Sequence, residues 1–116
     1  NYFSEKEIVL TTSYEKIGDV IELQVHMSNY SAGGIKNCKL VPEYNSSNLS
    51  LIGIEPDVFY SFTDNTFIVG DIDSYNEVAF QVKFQMKVAG ASPLEIKMNY
   101  EQKGRKSVAN SLLEII

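Results

Sequence analysis

His26, Cys38 and the pair Asp71 and Asp73 are the side chains whose chemistry could go beyond packing and solvation. A nucleophile needs a base within hydrogen-bond reach and a third group to orient that base, and a structural zinc site needs paired Cys or His ligands. The chain has one histidine and one cysteine. Neither has a companion at metal-ligand spacing, and no Ser or Asp stands where its spacing alone suggests a triad. His26 is therefore expected on the wet face of a strand, exposed or hydrogen-bonded. Asp71-Ile72-Asp73 sets two carboxylates on one face of a strand end, hard oxygen ligands of the kind calcium takes, but the EF-hand pattern is absent. Gly33-Gly34 opens no helix and so does not form a phosphate-binding loop. The expectation is a non-enzymatic chain with no catalytic residues, no metal and no cofactor.

Two further groups of residues suggest contact instead of catalysis. Asn29-Tyr30-Ser31, Asn45-Ser46-Ser47 and Asn48-Leu49-Ser50 are N-glycosylation acceptor triplets, where chance would give roughly one. All three lie in or beside predicted loops, which favours an extracellular setting with Asn29, Asn45 and Asn48 as candidate glycan carriers. Val58-Phe59-Tyr60-Ser61-Phe62 and Tyr75 form the other group. A short hairpin cannot bury both of its faces, so Phe59, Tyr60, Phe62 and Tyr75 are candidate protein-interface residues. Of these, Tyr60 and Tyr75 are the stronger, with core packing the default for Phe59.

The elements that must position these residues are strands. In Glu77–Val88 the apolar side chains Val78, Phe80, Val82, Phe84, Met86 and Val88 occupy every second place, with Gln and Lys between them. A period of two with one apolar and one polar face marks a half-buried strand of an antiparallel sheet. Ile21, Leu23, Val25 and Met27 repeat the pattern over Val20 to Ser28, as do Leu94, Ile96, Met98 and Tyr100. Further strands are expected over Glu7 to Tyr14, Ile35 to Val41 with a stop at Pro42, Leu49 to Ile54, Val58 to Phe62, Thr66 to Ile72 and Arg105 to Ile115. Turn residues separate them, including Glu15-Lys16-Ile17-Gly18-Asp19, Asp73-Ser74-Tyr75-Asn76 and Gln102-Lys103-Gly104. Seven to nine strands at this spacing predict an all-β, immunoglobulin-like two-sheet antiparallel sandwich, with a closed small barrel as the other solution.

Composition agrees. The chain has 116 residues, 44% hydrophobic and 11% aromatic, enough for a single domain, 1–116, with one core. A lone cysteine excludes an internal disulfide, and its alternation with Leu40 predicts a buried, inert thiol. The formal net charge is −5. Glu43, Glu55, Asp57, Asp64, Asp71, Asp73 and Glu77 precede Lys83 with no cation among them, and cations dominate from Lys83 onward. Either loops are simply solvated, or one acidic and one basic surface exist to complement a partner. Overall acidity without clustered arginine argues against nucleic acid.

The run from Val25 through Asn29, Gly33-Gly34 and Cys38 resembles a segment of the cell-envelope sandwich domains that accompany archaeal surface-layer proteins, and of related CARDB-type adhesion modules. Phe67-Ile68-Val69-Gly70-Asp71-Ile72 with Glu77–Val82, and Pro93–Glu101 with Gly104, are similar to further blocks of that family. The likeness covers about three quarters of the chain, with Asp73-Ser74-Tyr75-Asn76 standing where the family usually places Pro-Gly. It implies a domain at the cell surface, in the archaeal pseudo-periplasm, that contacts the surface layer or anchors an appendage such as the archaellum to it. The implied partners are an envelope or surface-layer protein, or a second copy in a homodimer, with a membrane reached only through an anchor absent from this chain. Tyr14–Glu22 and Leu94–Tyr100 also resemble segments of clathrin-adaptor ear domains, which implies the alternative of an intracellular binder of short peptide motifs.

Overall fold

The computed structural model describes residues 7–61 and 63–116. Among them are nine strands: β1 (Ile8–Ile17), β2 (Val20–Asn29), β3 (Ile35–Tyr44), β4 (Leu49–Glu55), β5 (Phe59–Ser61), β6 (Thr66–Ile72), β7 (Glu77–Met86), β8 (Ser92–Gln102) and β9 (Arg105–Ile115). They form two antiparallel sheets, one ordered β1-β2-β7-β4 and the other β5-β6-β3-β8-β9. This is the two-sheet sandwich that the alternation requires, and every strand read from the sequence is present.

Registers follow the apolar period. Met27 faces Val78, Val25 faces Phe80, Leu23 faces Val82 and Ile21 faces Phe84, so the inner faces of β2 and β7 form one apolar plate. Leu40, Ile96, Met98, Leu94 and Phe67 are buried opposite it from the other sheet. Each fully buried side chain of this size contributes roughly 1.5–3 kcal/mol before ordering entropy is subtracted. His26 lies between Val25 and Met27 on the opposite, exposed face of β2.

Local chemistry fixes the ends. Gln102 pairs with Arg105 across Lys103 and Gly104, whose φ of 52° and 77° suit the mirror-image turns that match strand twist. A bulge in β3 separates the pairs Lys36↔Glu101 and Lys39↔Asn99. Asn37 takes the left-handed conformation there (φ 53°), and this parity shift lets both Ile35 and Cys38 face the core.

Several boundaries differ from the sequence reading, three of them with consequences for the fold. β1 runs on to Ile17, leaving only Gly18-Asp19 to turn, and β7 stops at Met86, so Val88 is exposed. β3 does not stop at Pro42, which is buried and faces Ile96 of β8. The Pro42 carbonyl accepts a hydrogen bond from Asn65 Nδ2 at 2.9 Å, on the side where the β6 ladder has already ended at Leu40↔Phe67. In a strand the N and C=O of one residue point the same way, so the missing proline N–H falls outside the β8 ladder.

Candidate functional site

Antiparallel pairing mixes the charges that the sequence keeps apart. Lys83 on β7 lies 3.3 Å from Glu55 on β4, Lys97 on β8 lies 3.1 Å from Glu43 on β3, and Lys36 lies 3.6 Å from Asp71. Carboxylates of the acidic stretch thus pair with cations on both sheets, with the modest energies of exposed pairs. Asp71 also accepts a bond from the Asn37 backbone N–H at 3.0 Å. No cluster of three or more His, Cys, Asp or Glu side chains that could hold a metal occurs among the described residues.

Cys38 is buried, and its thiol is pushed up to about 11, first by desolvation and second by the Asp71 carboxylate. The inert reading follows directly, since the reactive thiolate is the disfavoured form. Tyr44 is likewise raised, by burial first and by neighbouring Tyr60 second, against the effect of a bond to the Leu51 backbone.

The aromatic candidates separate by strand parity. Phe59 faces Ile68 on the outer surface of its sheet and is 71% exposed. Tyr60 faces inward, half-buried, with its ring 4.7 Å from that of Phe67 and its hydroxyl donating to Asn65 Oδ1. Phe59 is therefore the outward ring and Tyr60 the packed one, the reverse of the sequence preference, because β5 enters the sheet with Tyr60 opposite buried Phe67. Phe62 lies outside the described residues. Tyr75 is 70% exposed at a positive φ of 61° in the β6–β7 turn, beside the loop that displays Tyr30. The Ser74 hydroxyl bonds to the Ser31 carbonyl, and the Asn29 N–H to the Asn76 carbonyl at 2.9 Å, so the two loops are stitched together.

The glycan candidates also separate. Asn29 is buried, and its Nδ2 donates to the carbonyls of Gly33 (2.9 Å), Ile72 (3.1 Å) and Asp73 (3.2 Å) while its Oδ1 accepts from the Ser31 N–H (2.9 Å) and hydroxyl. This corrects the expectation for Asn29: an amide enclosed by these bonds leaves no room for a sugar. Asn45 is exposed in the β3–β4 turn, where its Oδ1 bonds the Ser47 N–H at 2.8 Å, and Asn48 is partly exposed beside it.

The feature that sequence reasoning missed is a groove of about 540 Å³ on the flank where the two sheets end in β4 and β5. Tyr44, Leu51, Ile54, Val58, Tyr60 and Phe67 line it, with Asp57 and Lys87 among its polar residues. Its walls come from β3, β4, β5, β6 and the segment before β5, so no local motif marks it. A bulge between Leu51 and Gly53 turns Ile52 outward at the same flank.

No protein-family model and no curated protein matches the sequence. Solved structures match the fold. The GAE domain of yeast GGA1 is 15% identical, with a TM-score of 0.65 over 98% of this chain and 95% of that one. The mu homology domain of Fcho1 from Danio rerio, with a bound Eps15 peptide, is 10% identical, with a TM-score of 0.59 over 92% of this chain and 43% of that one. The collagen-binding domain of a Staphylococcus aureus adhesin is 13% identical, with a TM-score of 0.50 over 95% and 98%. At these identities the likeness establishes an immunoglobulin-like β-sandwich.

Proposed function

We propose that the chain is a non-enzymatic protein-binding domain at the outside of a cell envelope, where it contacts the surface layer or holds an appendage such as the archaellum to it. The observation that carries binding over catalysis is the flank built by β4, β5 and β6: an apolar groove, with Phe59 turned out beside it, on a rigid two-sheet frame. Such surfaces gain affinity by removing aromatic and aliphatic area from water. The extracellular setting is supported by the family resemblance, by the acceptor triplets at Asn45 and Asn48, and by the fold shared with a bacterial adhesin domain.

One observation favours a second reading, an intracellular adaptor-ear-like domain that binds short peptide motifs in membrane trafficking. The GAE domain of yeast GGA1 and a mu homology domain carrying a peptide share the fold over more than nine tenths of this chain. The two readings part in a retention experiment with immobilised wild-type domain and its Phe59→Glu variant, offered separately an envelope extract rich in surface-layer protein and a cytosolic extract. Retention of surface-layer protein by the wild type and its loss in the variant is the expected result. Retention of cytosolic trafficking proteins alone overturns the envelope reading in favour of the second.

A further inference from the structure

We propose that β9 is a self-complementary edge through which two copies of the chain pair antiparallel, about a two-fold axis at Asn110, joining their five-stranded sheets into one. Nothing in this pairing depends on the envelope partner proposed above.

β9 is eleven residues long, and among the described residues it has a hydrogen-bonded strand on one side only. Its ladder to β8 runs from Arg105↔Gln102 to Ile115↔Ser92 without a register shift. Exposed edges are normally guarded by shortness, proline or bulges, because a row of unpaired N–H and C=O groups is a template for another strand. β5 is guarded by being three residues long and β4 by its bulge at Ile52. β9 contains no proline and no bulge, a regularity that it shares with β1, the other edge at its flank.

The direction of the free backbone groups is fixed by one contact. The Glu114 carbonyl accepts from the Tyr14 hydroxyl on the flank away from β8 (3.2 Å). Backbone direction alternates along a strand, so Lys106, Val108, Asn110, Leu112 and Glu114 all turn their N–H and C=O away from β8. The side chains of these same residues lie on the outer face of the sheet and are all exposed, Leu112 at 72%.

A second strand can bond here only in registers that set these residues against their own kind. With the axis at Asn110, Lys106 faces Glu114 of the second copy, Val108 faces its Leu112, and Asn110 faces itself. The pattern is charge, apolar, amide, apolar, opposite charge, and it reads as its own complement. Moving the axis one residue toward the start puts Lys106 against Leu112, and one residue toward the end puts Val108 against Glu114. Both set charge against apolar surface, so the sequence selects the register centred on Asn110. On the inner face the same register opposes Ala109 to Ser111 of the second copy, side chains too small to crowd, with Ser107 against its Leu113 and Arg105 against its Ile115 toward the ends, so the outer-face pairs decide the register.

Sedimentation of the full chain over a wide concentration range tests the pairing. Expected is a reversible dimer that Lys106→Glu and Glu114→Lys each weaken roughly tenfold or more, since each reversal sets two like-charged pairs across the axis. The double variant, Lys106→Glu with Glu114→Lys, restores opposite charges and is expected to regain most of that loss. Leu112→Lys abolishes the dimer. These are exposed positions, and circular dichroism checks that each variant stays folded. A chain that remains monomeric throughout, a dimer indifferent to the single reversals, or a double variant no better than the singles overturns the proposal.

Discussion

The sandwich closes its two flanks by different means. Where β1 meets β9, hydroxyl groups bridge the sheets: Thr12 Oγ1 lies 2.6 Å from Ser111 Oγ, and the Tyr14 hydroxyl donates to the Glu114 carbonyl and accepts from the Ile116 N–H at 3.3 Å. Where β4 faces β5, half-buried apolar side chains approach without filling the space, and the groove results. The contrast extends to the strand edges in the opposite sense. At the filled flank β9 and β1 keep long, regular edges, that of β9 engaged by Tyr14 only at its far end, whereas at the grooved flank one strand is bulged and the other very short. Sealing the space between two sheets and blocking the hydrogen-bonding edge of either sheet are thus separate tasks. Each flank performs one of them, and offers a partner whatever the other task would have covered.

The contrast would break most visibly if the grooved flank proved to have no dense floor. Phe84 is buried beneath that flank, its ring edge-on to Tyr44 at 5.1 Å, and its backbone pairs with Leu51 of β4 and Ile21 of β2. Phe84→Ala is expected to lower stability by about 3–5 kcal/mol, because the lost ring leaves a cavity continuous with the groove. Chemical denaturation measures this, and a loss below about 1 kcal/mol would mean that the flank collapses freely.

A smaller effect tests the core that both flanks share. Cys38 has its thiol raised to about 11, so the folded state holds its proton where an unfolded thiol, near 9, has lost it. The sign follows: this contribution is fully present below pH 9 and is lost as pH rises toward 11, by at most about 2–3 kcal/mol. Denaturation midpoints of wild type and Cys38→Ala between pH 8 and 11 should converge as pH rises. The same burial predicts that a thiol reagent at pH 8 labels Cys38 only as fast as the chain opens.

How far these regions could be read from the letters follows from what each is made of. β2, β7 and β8 were legible because one residue in two is apolar over their whole length, a local signal. The inert thiol was legible for the same reason. The parity of β5 was not, since in so short a strand large side chains stand at both parities, Phe59 on one and Val58 and Tyr60 on the other, and only the pairing of Tyr60 with Phe67 decides between them. Passage of β3 through Pro42 depends on where β6 ends, and enclosure of Asn29 on carbonyls more than forty residues away. The groove is likewise assembled from segments that lie far apart in the chain. What the sequence concealed is in each case a relation between strands, and what it displayed is a period within one.

At the filled flank, removal of a single bridging hydroxyl should be felt only weakly. Tyr14→Phe keeps the ring and deletes two bonds to the end of β9, both solvent-accessible, for an expected loss of about 0.5–1.5 kcal/mol. Faster hydrogen exchange at the Ile116 amide, with the β7 amides unchanged, would locate the loss where the bridge was.

The smallest expected effect is also the sharpest test of the grooved flank. Phe59→Ser removes a ring that is mostly in water, so stability should move by no more than about 0.5 kcal/mol. The same change one residue along, Tyr60→Ser, deletes the contact with Phe67 and the bond to Asn65, and should cost about 1–3 kcal/mol. The order of the two denaturation midpoints decides which face of β5 is turned outward. If Phe59→Ser proved the costlier, β5 would sit with the opposite parity, Tyr60 would be the ring offered to a partner, and the wall of the groove would have to be redrawn.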